Sequence, residues 1–189
     1  GASQRRSVKA SSAANPDVLL ATFQEGRYAV NGGAIDCGYA LSTDGGLTWT
    51  RQLIPQLTTA SGGQFLRATD PVAGTGPQGE LYLQTLVSLQ GAFQTAGVVV
   101  SRSLDGGATW SAPASVFESV NPLLGPDKNW LAVNDYPGTT TTGRLVSTWS
   151  NFYNTAAGGT TSSTLVASIS DDRGATWSAP TAITPPGSQ

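Results

Sequence analysis

Three aspartates stand at the same place in three copies of one octapeptide. The copies are Ser42-Thr-Asp44-Gly-Gly46-Leu-Thr48-Trp49, Ser103-Leu-Asp105-Gly-Gly107-Ala-Thr109-Trp110 and Ser170-Asp-Asp172-Arg-Gly174-Ala-Thr176-Trp177. They share S-x-D-x-G-x-T-W at offsets of 61 and 67 residues. Carboxylates at a site serve general acid and base chemistry. A carboxylate inside its own turn does something else: it accepts backbone N–H bonds and holds the turn. The company of these aspartates favours the second use. Asp-Gly and Gly-Gly are hairpin dipeptides because glycine accepts positive φ. The Trp that follows is placed to pack the next strand onto a core.

Other chemistry is excluded by composition. The 189 residues contain no histidine, which removes His-based acid–base catalysis, Ser-His-Asp triads and most zinc or copper sites. Cys37 is the single cysteine, so no internal disulfide can form, and no histidine is present to activate the thiol. Net charge is −2, and Lys9 and Lys128 are the only lysines. That argues against a nucleic-acid partner or a polybasic membrane surface. No stretch approaches the roughly 18 apolar residues of a membrane span. No metal or cofactor is expected. Abundant Ser (20) and Thr (23) with scarce Lys fit a bacterial extracytoplasmic or secreted protein.

The elements that would carry these residues are strands. Apolar runs are short, alternate with period two and are bounded by Gly, Pro, Asn or Asp. A repeat of 60-odd residues suits a four-stranded unit. The strands are expected at 6–10, 17–24, 34–42 and 50–55, then at 67–73, 80–89, 97–103 and 111–117, then at 129–134, 143–152, 164–170 and 178–184. Each octapeptide then forms the hairpin between the third and fourth strands of its unit.

The octapeptide resembles the Asp-box, the bacterial neuraminidase repeat. That resemblance implies an all-β fold: a β-propeller segment of three four-stranded antiparallel blades, half of a six-bladed sialidase-like propeller. The whole chain, 1–189, is one segment, with blades at about 5–57, 64–119 and 126–185. In this family the boxes are peripheral. Ser42, Asp44, Gly46, Thr48 and Trp49 are therefore expected to be structural. The same holds for Ser103, Asp105, Gly107, Thr109 and Trp110, and for Ser170, Asp172, Gly174, Thr176 and Trp177.

The stretch from Asp17 to Arg27, with Phe23, Glu25 and the following Ile35-Asp36, is similar to the first blade of sialidases. The resemblance places Arg27 on an arginine that grips the substrate carboxylate, and Arg6, more loosely, on another. Where sialidases carry an acid/base Asp, five or six residues beyond the arginine, this chain has Gly32 and Gly33. The family's Tyr–Glu pair and third arginine come from later blades and have no counterpart here. Catalytic residues therefore stay unassigned, and the activity implied by resemblance alone is exo-sialidase-like glycoside hydrolysis.

First strands of propeller blades line the central channel. Arg67 and Asp70, and Asp127 and Lys128, begin such strands. They are candidates for meeting a sugar, or else pair with each other as Arg67–Asp70 and Asp127–Lys128 and cap the channel. Glu25 either orients Arg27 or is a solvated turn residue. Trp130, Trp149, Phe152 and Tyr153 form either a sugar-stacking platform or core. Two functions remain open: a glycan-directed, sialidase-related module of a larger or oligomeric secreted hydrolase, or a non-catalytic propeller binding glycan or protein. Three blades cannot close a ring, so the expectation is a self-associated dimer completing six blades, or further blades C-terminal to these.

Overall fold

The computed structural model describes residues 8–12, 14–89 and 96–185. The strands are β1 (Val8–Ser11), β2 (Leu19–Arg27), β3 (Ala34–Ser42), β4 (Thr50–Leu53), β5 (Arg67–Thr75), β6 (Leu81–Ser88), β7 (Ala96–Ser103), β8 (Ala114–Ser119), β9 (Leu124–Val133), β10 (Leu145–Asn154), β11 (Thr160–Ser170) and β12 (Thr181–Ala182). Every pairing between consecutive strands of a set is antiparallel. β1 to β4, β5 to β8 and β9 to β12 thus form three successive up-and-down meanders. A single pairing, Ala34 opposite Ala68, joins the first meander to the second.

The middle meander is packed on both sides. All eight residues of β6 are buried, although a strand shows alternate side chains to opposite faces. Leu81, Leu83 and Val87 join Leu20, Cys37 and Tyr39 in a core against the first meander. Tyr82 and Leu86 join Leu131, Leu145, Trp149 and Val166 in a second core against the third. Each large apolar side chain buried this way adds on the order of 1.5–3 kcal/mol. The three meanders are therefore packed in chain order, the second between the first and the third.

Several expected strands differ in their bounds. The first strand of the third meander begins at Leu124, not at 129, because it runs through a bulge: the β9–β10 register shifts between Thr148 and Ser150. Lys128 takes up the bulge with φ 57°. The last strand shrinks from seven expected residues to Thr181–Ala182, an exposed edge beside β11. The fourth strand of the second meander starts at Ala114, three residues later than the alternation suggests.

Candidate functional site

The boxes sit at the C-terminal ends of β3, β7 and β11, and their geometry repeats almost atom for atom. In the second, the Ser103 hydroxyl donates to Asp105 Oδ1 at 2.7 Å and accepts from Gly107 N at 2.8 Å. Thr109 gives its backbone N–H to Oδ1 at 2.9 Å and its hydroxyl to Oδ2 at 2.6 Å. Asp44 and Asp172 make the same bonds with Ser42 and Thr48, and with Ser170 and Thr176. Both carboxylate oxygens are thus spent inside the turn. These donors hold Asp44 and Asp105 down at a pKa of about 2, and Asp172 lower still.

That depression has a consequence for acid stability. A carboxyl whose folded pKa lies below its unfolded value of about 3.9 adds stability above that pH and gives it up as pH falls toward 2. The melting temperature should therefore drop between pH 4 and pH 2. Asp105→Ala should melt a few degrees below wild type at neutral pH, and the gap should close at pH 2. Melts across that range check it; a gap independent of pH would mean that the carboxylate is not what holds the turn.

The opposite end of the sheets holds a cleft of about 740 Å³. It is lined by Gln24 and Arg27 from the end of β2, Gly32 and Gly33 from the following loop, Thr69 and Asp70 from β5, Pro126 to Lys128 from β9, and Phe152 from β10. All three meanders contribute. Asp70 lies where they meet. Gln24 of the first meander donates to Thr69 Oγ1 at 2.9 Å and to Asp70 Oδ1 at 3.4 Å. Asn129 of the third donates to the Asp70 carbonyl at 3.2 Å. Asp70 has φ 45°, a conformation that costs a non-glycine residue free energy and concentrates at functional sites. A register shift between Thr69 and Val72 accompanies it.

The charged candidates separate into different roles. Arg27 is exposed in the cleft and makes no ion pair among the described residues. Asp127 and Lys128 do pair, at 3.1 Å, and Asp127 also accepts the Lys128 backbone N–H at 2.7 Å. Arg67 does not pair with Asp70. It donates to the carbonyls of Val30 (3.2 Å) and Gly32 (2.9 Å) and stacks 4.0 Å from the Tyr28 ring, so it props the loop that forms the cleft wall. Glu25 does not serve Arg27 either; it pairs with Arg51, which lies over Phe23. Arg6 lies outside the described residues.

The aromatic platform does not assemble. Trp149 is fully buried, stacked 5.3 Å from Phe117, with its indole N–H on Asn151 Oδ1 at 2.8 Å. Trp130 lies on the other face of the third meander, 54% exposed, and of the four only Phe152 lines the cleft. Asp36, next to the cleft loop in sequence, is buried and structural: its oxygens accept from Cys37 N and from the Thr58 hydroxyl, both at 2.7 Å. Burial, aided by Asp36 and Asp70, pushes the Cys37 thiol well up, so it is no nucleophile. Among the described residues no three His, Cys, Asp or Glu gather as a metal site, and no helix is long and apolar enough to cross a membrane. The role of Gln24 and Asn129 was not visible in the sequence, because amides carry no motif and their partner lies 46 and 59 residues away.

The BNR/Asp-box repeat family matches residues 168–179, which contain the third box. No curated protein matches the sequence significantly. Solved structures do match in fold. An alpha-L-arabinanase of Penicillium chrysogenum, complexed with arabinobiose, superposes with a TM-score of 0.65 at 19% identity, over 96% of this chain and 50% of its own. An alpha-L-arabinofuranosidase of Fusarium graminearum gives 0.65 at 18%, over 95% and 48%. A Hadza microbial sialidase gives 0.55 at 19%, over 92% and 36%. The chain spans about half the length of the first of these structures. Its fold is all-β and is that of the sialidase-like, Asp-box propellers.

Proposed function

We propose that this chain, with the sialidase-like propeller fold as its premise, is a glycan-directed module that does not complete a hydrolytic centre by itself. The observation that carries the reading is the cleft. One wall offers a guanidinium, Arg27, without a carboxylate partner among the described residues, and Asp70 stands where three meanders meet. Such a guanidinium suits a sugar acid, and Asp70, Gln24 and Thr69 suit sugar hydroxyls. The same wall carries Gly32 and Gly33, which have no acid to protonate a leaving group. The module belongs to a secreted bacterial glycoside hydrolase. We take residues 5–57, 64–119 and 126–185 as its blades, three of a six-bladed ring. The glycine wall equally favours a second reading, a propeller that binds glycan without ever hydrolysing it.

Both readings predict that purified 1–189 binds acidic oligosaccharides on a glycan array yet hydrolyses a fluorogenic sialoside no faster than buffer. Turnover that disappears in Arg27→Ala would show that this chain assembles a complete centre. An array with no bound glycan would overturn both readings.

A further inference from the structure

The loop between β2 and β3 turns one side of its backbone to Arg67 and the other to the cleft. Three successive residues of positive φ shape it: Asn31 at 61°, Gly32 at 66° and Gly33 at 72°. Tyr28 closes it by donating its N–H to the Gly33 carbonyl at 3.0 Å. Arg67 Nη1 then takes two further carbonyls, those of Val30 at 3.2 Å and Gly32 at 2.9 Å, while its guanidinium rests on the Tyr28 ring. Gly32 and Gly33 line the cleft and Arg67 does not, so the loop stands between this guanidinium and the cleft.

That arrangement fixes where two amides go. In a trans peptide the N–H points opposite to the C=O of the same unit. The peptide that offers Arg67 the Val30 carbonyl carries the N–H of Asn31, and the one that offers the Gly32 carbonyl carries the N–H of Gly33. Both N–H groups are therefore turned away from Arg67, onto the cleft side of the loop. Neither has an acceptor among the described residues. Gly33 is buried, and a buried N–H without an acceptor costs free energy that an entering acceptor removes. A cation on the two carbonyls also polarises each peptide, which strengthens the N–H on its far side as a donor. Arg27, the residue just before this loop, lines the same cleft with no ion pair among the described residues.

The geometry points to an oxyanion site, built from the N–H groups of Asn31 and Gly33 and the guanidinium of Arg27, that takes the acid group of a glycan, with Arg67 as its positioning residue behind the loop. This rests on the glycan reading above and names which part of the sugar is held and by what. Two N–H donors on alternate peptides and a guanidinium fork match the several lone pairs of a carboxylate or a sulfate ester. A neutral hydroxyl would leave most of these donors unused. Glycines at 32 and 33 bring no side-chain charge to oppose the anion. A Cβ on Gly32 would meet nothing within 4 Å, so the space beside it is open.

Backbone-amide NMR on the full chain decides it. Sodium sulfate, sialyllactose and sulfated lactose are titrated separately at constant ionic strength, with lactose as the neutral control. The amide protons of Asn31 and Gly33 should move downfield with sulfate and stay still with lactose. Movement with sialyllactose identifies a carboxylate as the natural acid group, and movement with sulfated lactose identifies a sulfate ester. Arg27→Ala should weaken sulfate yet keep the downfield movement at saturation. Arg67→Met, which keeps the stem and has no donor, should weaken sulfate about tenfold and abolish the movement at both amides, the rest of the amide spectrum staying in place. Should it misfold, Arg67→Lys serves: an ammonium still donates to carbonyls but cannot match the planar fork, so both effects should appear in part. Amides of Asn31 and Gly33 that stay silent with sulfate, or that move equally with lactose, would overturn the site. Full movement in Arg67→Met would overturn the role of Arg67. Saccharides that bind with both amides silent would sink the oxyanion site alone, and sulfate that moves both amides while no saccharide binds would sink the glycan reading alone.

Discussion

Trp149→Ala should cost the protein about 3–5 kcal/mol of folding stability, the range for removing a fully buried large aromatic. Three losses combine. The indole fills the centre of the core between the second and third meanders and stacks on Phe117. Its removal leaves a cavity in that core. It also strands Asn151, whose Oδ1 accepts the indole N–H and which is itself buried. In a chain of this length each kcal/mol moves the melting temperature by roughly 2–4 °C. Chemical denaturation should give the loss directly, with Trp130→Ala, on the exposed face of the same meander, nearly silent. A loss under about 1 kcal/mol for Trp149→Ala would mean that the second and third meanders do not share this core.

Arg27→Ala should weaken an acidic glycan by about 2–3 kcal/mol, or about 30- to 150-fold in Kd, which is what truncating one partner of a charge-assisted contact costs. Among the described residues no carboxylate pairs with this guanidinium, which leaves its donor fork to a ligand. Lys128→Ala is the informative contrast. Lys128 already engages Asp127 at 3.1 Å and is exposed, so its removal should weaken binding only a few-fold. Titration calorimetry of both variants with sialyllactose measures the difference. Equal affinities for wild type and Arg27→Ala would remove Arg27 from the site.

What could be read from the sequence followed from how local each feature is. A box is eight residues whose carboxylate, hydroxyls and glycine solve one another's hydrogen bonds, so the three turns were visible before any fold was known. The strands of the middle meander were visible too, because their short apolar runs are bounded by turn residues. The bulges were not: Lys128 and Asp70 adopt positive φ without being glycine, so no turn residue marks them. Alternation placed Trp149 and Trp130 on strands but not on which face, which is why one proved core and the other open surface. Arg67 sits three residues from Asp70, an apparent pair. Its actual partners are carbonyls 35 and 37 residues away, which no spacing rule could supply.

Asp70 also bears on how the meanders move against one another. Its carboxylate is tied to the first sheet through Gln24 and its carbonyl to the third through Asn129, while its own backbone belongs to the second. Rocking of the first or the third meander against the second strains one of these two hydrogen bonds. A sugar hydroxyl that settles on this carboxylate joins the same linkage. The cleft would then tighten by damping the relative tilt of the three meanders. The cost of binding would fall on vibrational freedom spread over the whole segment, in place of a hinge.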